Sequence, residues 1–161
     1  MSNAAPEPAP VYIQLRERIL NLEPETVDIS PSSENPHVWG VIVETGYDVG
    51  TATLVCLVDG TTSLYYSTGG GMLGSGEYAS LAEASKELVA QAEDLLPQVS
   101  PAIDYSLPEI GQVRFIFLTY NGTYSAGATQ GALAGGDHPL SPLFAEAQNT
   151  LTKLRLLAEK K

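Results

Sequence analysis

The segment Leu54-Val-Cys-Leu-Val-Asp-Gly-Thr-Thr-Ser-Leu-Tyr-Tyr66 sets the tightest limit on how this chain can fold. Two runs of β-branched, aliphatic and aromatic residues are separated only by Asp59-Gly60, a pair that tolerates the positive φ angles of a two-residue hairpin turn. Strands joined so closely must run antiparallel. The expected strands are Thr51–Val58 and Thr61–Ser67, preceded by a third over His37–Thr45. A two-residue turn sets Val55 opposite Leu64 and Thr53 opposite Tyr66 on one side, with Leu54 opposite Tyr65 and Cys56 opposite Ser63 on the other. Both faces then carry apolar groups, so both need cover.

That cover is sought in the flanking sequence. Val11, Leu15, Ile19 and Leu22 recur at helical spacing, and Glu23–Pro36, with three prolines, reads as an extended connector. Ser80-Leu-Ala-Glu83 has the capping-box pattern and opens a helix to about Leu96, carried by Leu81, Ala84, Leu88, Ala92 and Leu95. Gln112–Tyr120 and Thr123–Thr129 form a second hairpin about Asn121-Gly122. It places Phe115, Phe117, Ala126 and Ala128 on one face and Arg114, Ile116 and Leu118 on the other. Ser141-Pro142 then starts a last helix along Leu143, Ala147, Leu151, Leu154 and Ala158.

The expected fold class is α+β, a single five-stranded and mainly antiparallel sheet flanked by three helices in the order α-β-β-β-α-β-β-α. Residues 1–10 are expected to be a disordered tail, and residues 11–161 one domain. No apolar run approaches the roughly 20 residues of a membrane span, and the first ten residues lack the pattern of a signal peptide. The expectation is a soluble, cytoplasmic protein without membrane contact.

Charge narrows the partners. From Ile19 to Thr152 there are sixteen acidic residues against two basic ones, Lys86 and Arg114. Such a surface repels phosphate backbones and excludes nucleic acid as a partner. The single cysteine, Cys56, sits inside an apolar run and reads as a buried small residue. His37 and His138 are too few for a zinc pattern, and neither a metal nor a cofactor is expected.

The Leu54–Gly60 run with its following strand, the Ser80–Leu96 helix, and the closing hairpin and helix from Val113 onward resemble the roadblock family and its longin and profilin-like relatives. This resemblance covers most of residues 11–158 and rests on the order of elements. It implies a noncatalytic, often dimeric platform for small GTPases or related regulators.

Within the chain, Gly69, Gly71 and Gly74 spell a Gly-x-Gly-x-x-Gly run between a strand and a helix. A dinucleotide loop needs a parallel strand, a helix starting within the glycines and an acid closing the next parallel strand. Here the strand belongs to a hairpin, so the run reads as a flexible connection. Arg114 either pairs with an internal carboxylate or binds an anionic ligand, and His138, beside Asp137, is placed for acid–base work or for a turn. Glu44 and Asp48 flank the Gly46-Tyr47 turn as a carboxylate pair or as solvated turn acids. Gly69, Gly71, Gly74, Arg114 and His138 are therefore the candidate ligand-binding residues. The expected function is a noncatalytic acidic interaction module for a protein with a basic surface, with a homodimer as the accompanying assembly. The alternatives are an inhibitor or immunity-type protein for a basic partner, or a small-molecule enzyme with the glycine loops as its lips.

Overall fold

The computed structural model describes residues 7–74 and 79–159. Helix α1 (Pro10–Leu20) leads through a short 3-10 turn (Pro24–Val27) to a meander of four strands, β1 (Val38–Tyr47), β2 (Gly50–Leu57), β3 (Thr62–Tyr66) and β4 (Gly71–Gly74). Helix α2 (Ala79–Leu95) crosses to the two-residue β5 (Ser100–Pro101) and then the hairpin of β6 (Gln112–Thr119) and β7 (Gly122–Thr129). Helices α3 (Gln130–Ala134) and α4 (Ser141–Glu159) close the chain.

All strands join one sheet in the order β4-β3-β2-β1-β6-β7-β5, and every pairing is antiparallel. The α+β class and the antiparallel sheet agree with the sequence reading, whereas its count of five strands and three helices falls short. Among the described residues six strands have four residues or more, and β5 adds a two-residue edge in which Pro101 is tolerated because no further described strand pairs beyond it. The fourth helix, α3, lies in the glycine-rich stretch, where the Thr129 side chain accepts a hydrogen bond from Ala132 N–H. Helix α2 is already formed at Ala79, the first described residue after the gap, so Ser80 lies within it rather than at its cap.

The sheet is covered on both sides, as a central strand buried along nine of its ten residues requires. One face packs Val41, Val43, Leu54, Cys56, Phe115 and Phe117 under α2 and α4, through Leu81, Leu88, Leu143 and Leu154. The other packs Trp39, Ile42, Val55, Leu57, Ile116 and Leu118 under Ile19 of α1 and Ile29 of the connector. The connector is thus a structural layer, tied down by Asn35, whose amide donates to the carbonyls of Val38 and Val89 at 3.1 Å.

Both hairpin turns differ from expectation, the first in length and the second in position. Leu57 N–H bonds to Thr61 O, which leaves Val58, Asp59 and Gly60 as a three-residue loop with Gly60 at φ 96°. The extra loop residue shifts the register by one. Leu54 therefore faces Leu64 and Thr53 faces Tyr65, in place of Val55 with Leu64 and Thr53 with Tyr66. In the second hairpin Thr119 pairs with Gly122, so Tyr120-Asn121 forms the turn, but the expected division of faces holds because the register moves by an even step.

One irregularity matters for the site. The β1–β6 register shifts between Val38 and Gly40, and this bulge turns Val38 to the α2 face and Trp39 to the α1 face, the reverse of simple alternation back from Val41.

Candidate functional site

The structure places the candidate residues apart. Gly69 and Gly70, at φ 101° and 88°, make the turn from β3 into β4, and Gly69 N–H bonds to Tyr66 O at 2.9 Å. Gly71 pairs with Tyr65, and Gly74 pairs with Thr62. A Cβ on Gly71 would lie 2.1 Å from Leu64 O, so the hairpin needs glycine there for backbone reasons alone. Residues 75–78, between this strand and α2, lie outside the described residues.

Arg114 stands on β6, with β1, β2 and β3 between it and β4, a separation of about 19 Å at ordinary strand spacing. Its Nη1 donates to Asp104 Oδ1 at 3.2 Å. Hydrogen bonds from the Ser106 hydroxyl and amide, with help from Arg114, hold the Asp104 carboxyl down at about 2. His138 lies in the loop before α4. Its Nδ1 accepts from Leu140 N–H at 3.0 Å, and its backbone N–H donates to Ser141 Oγ at 3.2 Å.

Glu44 is the largest departure from expectation. It is fully buried rather than a solvated turn acid, and it does not pair with Asp48. Arg16 of α1 grips it at two points, Nε to Oε2 at 2.7 Å and Nη2 to Oε1 at 2.8 Å. Thr53, its cross-strand neighbour, donates to Oε2 at 2.8 Å, and the Tyr12 hydroxyl bonds to Thr53 Oγ1 at 2.6 Å. Arg16 Nη2 also reaches Tyr105 O at 2.6 Å. Burial, with the Glu44 charge, pushes the Tyr12 hydroxyl up to about 12. Every member of this chain has its polar partner, so the network fastens α1 to the sheet and holds no vacant chemistry.

Cys56 is equally closed. It is fully buried, and burial pushes its thiol up to about 12. Among the described residues no group of three or more His, Cys, Asp or Glu side chains is placed to hold a metal ion, and no helix is long and apolar enough to cross a membrane.

Two clefts remain. One, of about 420 Å³, lies between α4 and the β2–β3 end of the sheet, lined by Tyr47, Ala52, Leu64, Tyr66, Leu151 and Arg155. The other, also about 420 Å³, lies under the end of α1 and is lined by Trp39, Tyr120, Leu20, Leu22, Glu23 and Glu25 among others. Two of its lining residues carry a buried polar atom, the indole Nε1 of Trp39 and the hydroxyl of Tyr120, that has no hydrogen-bond partner among the described residues and no surface open to the cleft. Burial, then the Glu93 charge, raises the Tyr120 hydroxyl above the ordinary tyrosine value. Sequence reading missed this cleft because the bulge that turns Trp39 inward leaves no signature in the residue pattern. No family model matches the chain, and neither a curated protein nor a solved structure matches it.

Proposed function

We propose that the chain is a noncatalytic interaction module whose partner is a protein presenting a basic contact surface. The observation that carries this reading is the distribution of unpaired acid. Of nineteen acidic residues, only Glu44 and Asp104 are paired with an arginine among the described residues, and Glu93 is hydrogen-bonded to His37. With a net charge of −11 the protein is strongly negative, which favours encounter with a basic surface and disfavours a nucleic acid. The most deeply buried reactive groups are committed elsewhere: Glu44 to Arg16 and Thr53, and the Cys56 thiol to a site where ionisation is opposed. A two-sided sheet between helices is a scaffold of the roadblock and longin kind in this reading, working in the cytoplasm and able to pair with a second copy.

The test is affinity capture with the purified chain at low and at high ionic strength, followed by identification of what is retained. Retained proteins should be basic at their contact surface and should be released by salt. Acidic partners held equally well at high salt would overturn the reading.

A further inference from the structure

We infer that the cleft between α4 and the β2–β3 end of the sheet binds a small amphipathic monoanion, an apolar body carrying one carboxylate, with Arg155 as its counter-charge. The inference is independent of the basic-partner reading. Three strands and one helix build the cleft. Ala52 and Tyr66 are cross-strand partners, Leu64 stands two residues before Tyr66 on the same face of β3, and Tyr47 ends β1. Gln148, Leu151 and Arg155, three and four residues apart, share one face of α4 and form the opposing wall. The cleft opens where the large side chains of the core stop: on β2, buried Leu54 is followed two residues outward by Ala52, whose methyl leaves room above it. Tyr47 and Tyr66 are 41% and 42% exposed, so their rings stand at the mouth. The volume of about 420 Å³ is within the range of sites that enclose a small ligand.

The lining decides the ligand. Ala52, Leu64 and Leu151 offer an apolar floor, the two tyrosines offer ring faces and phenol donors, and Arg155 is the one charged residue among those that line the cleft. Its side chain is exposed and makes no ion pair among the described residues. The sequence around it reverses the sign of the chain. Residues 153–161 hold Lys153, Arg155, Lys160 and Lys161, four of the eight basic residues, against Glu159 alone, in a protein whose net charge is −11. A cationic ligand or basic peptide is therefore repelled at this cleft. A polyphosphate or dicarboxylate demands more positive charge than one guanidinium supplies and is opposed by the net charge of the protein. A monocarboxylate meets both conditions: the planar guanidinium takes its two oxygens in a fork, and its apolar body lies on the floor between helix and sheet.

The probe is octanoate, titrated into the full chain and followed by calorimetry and by amide NMR shifts, with octanol, acetate and octylammonium as controls. Octanoate should bind saturably, with shifts concentrated at Ala52, Leu64, Tyr66 and Leu151. Octanol lacks the charge and acetate the body, so each should bind much more weakly, and octylammonium should not bind. Arg155→Gln should lower the octanoate affinity about tenfold and leave octanol unchanged, since only the charged contact is lost. The exposed position keeps the core intact, so the circular dichroism spectrum should not move. Ala52→Leu fills the floor and should abolish octanoate binding. Should that variant fail to fold, the Arg155→Gln comparison decides alone. Absence of octanoate binding, equal binding of octanol or octylammonium, or shifts centred on another part of the fold would overturn the inference. So would a dimer that is lost in Tyr66→Asp, because a second copy would then occupy the cleft. None of these outcomes bears on the basic-partner reading, which the capture experiment judges by itself.

Discussion

Arg16 and Glu44 meet in a two-point ion pair across the junction of α1 and the sheet, with Glu44 fully buried and the Arg16 side chain 13% exposed. Removing one partner strands the other. Arg16→Met should destabilise the fold by about 3–5 kcal/mol, because the Glu44 carboxylate is left without its counter-charge. The double variant Arg16→Met, Glu44→Gln should recover part of that loss, since no buried charge remains to be neutralised. Denaturant midpoints of the three proteins measure this directly. An unchanged midpoint for Arg16→Met would show that α1 is not fastened by this pair.

Glu93 ties α2 to the start of β1. Its Oε1 accepts from the amides of His37 and Val38 at 2.8 and 2.9 Å, and Oε2 lies 2.9 Å from His37 Nδ1. Burial alone would raise this carboxyl, but the bonds from Val38 and His37 outweigh it and hold it below the usual carboxylate value. A carboxylate depressed in the folded state contributes stability that is present above its unfolded value, about pH 4.3, and is lost as pH falls through the folded value. Stability should therefore decline below about pH 4 in the native protein, and Glu93→Gln should be less stable at neutral pH with a shallower acid limb. Chemical denaturation at a series of pH values gives both slopes, and parallel acid limbs would contradict the assignment.

The legible part of the fold is the part governed by local pattern. Leu81, Leu88 and Ala92 at helical spacing give α2, and alternation along β6 correctly divides Phe115 and Phe117 from Ile116 and Leu118. What escaped is set by backbone geometry or by distant contacts. β4 is held by main-chain pairing around Gly71 and needs no side-chain pattern. The role of Glu44 depends on Arg16, 28 residues earlier, and a strand pattern alone does not show which charge will be met from above. Trp39 belonged to an expected strand, but its face was decided by the bulge at Val38/Gly40.

Cys56 offers a simple check on the core. With no exposed surface and a thiol pushed up to about 12 by burial, it should resist alkylation and disulfide exchange in the folded protein at pH 8. Denaturant should expose it fully. Rapid labelling under native conditions, followed by absorbance or mass spectrometry, would show that the α2 face of the sheet opens far more readily than its packing indicates.

Gly69, Gly71 and Gly74 should not bind a purine nucleotide. They form a turn and an antiparallel strand, so the strand geometry that delivers pyrophosphate to a helix start is missing from the described part of the run. Calorimetry with ATP, GTP and NAD should show no saturable heat. Micromolar binding lost on Gly69→Val would reverse this assignment.

The central claim is that unpaired acid steers this chain to a basic protein surface, and stopped-flow association with the captured partner at two salt concentrations tests it most directly. Long-range attraction acts on encounter and is screened within about 10 Å at 0.1 M salt, whereas contacts already formed are less affected. The account predicts association that slows markedly as salt rises, with a dissociation rate that changes little. Salt-independent association, or a partner whose contact surface is itself acidic, would contradict it.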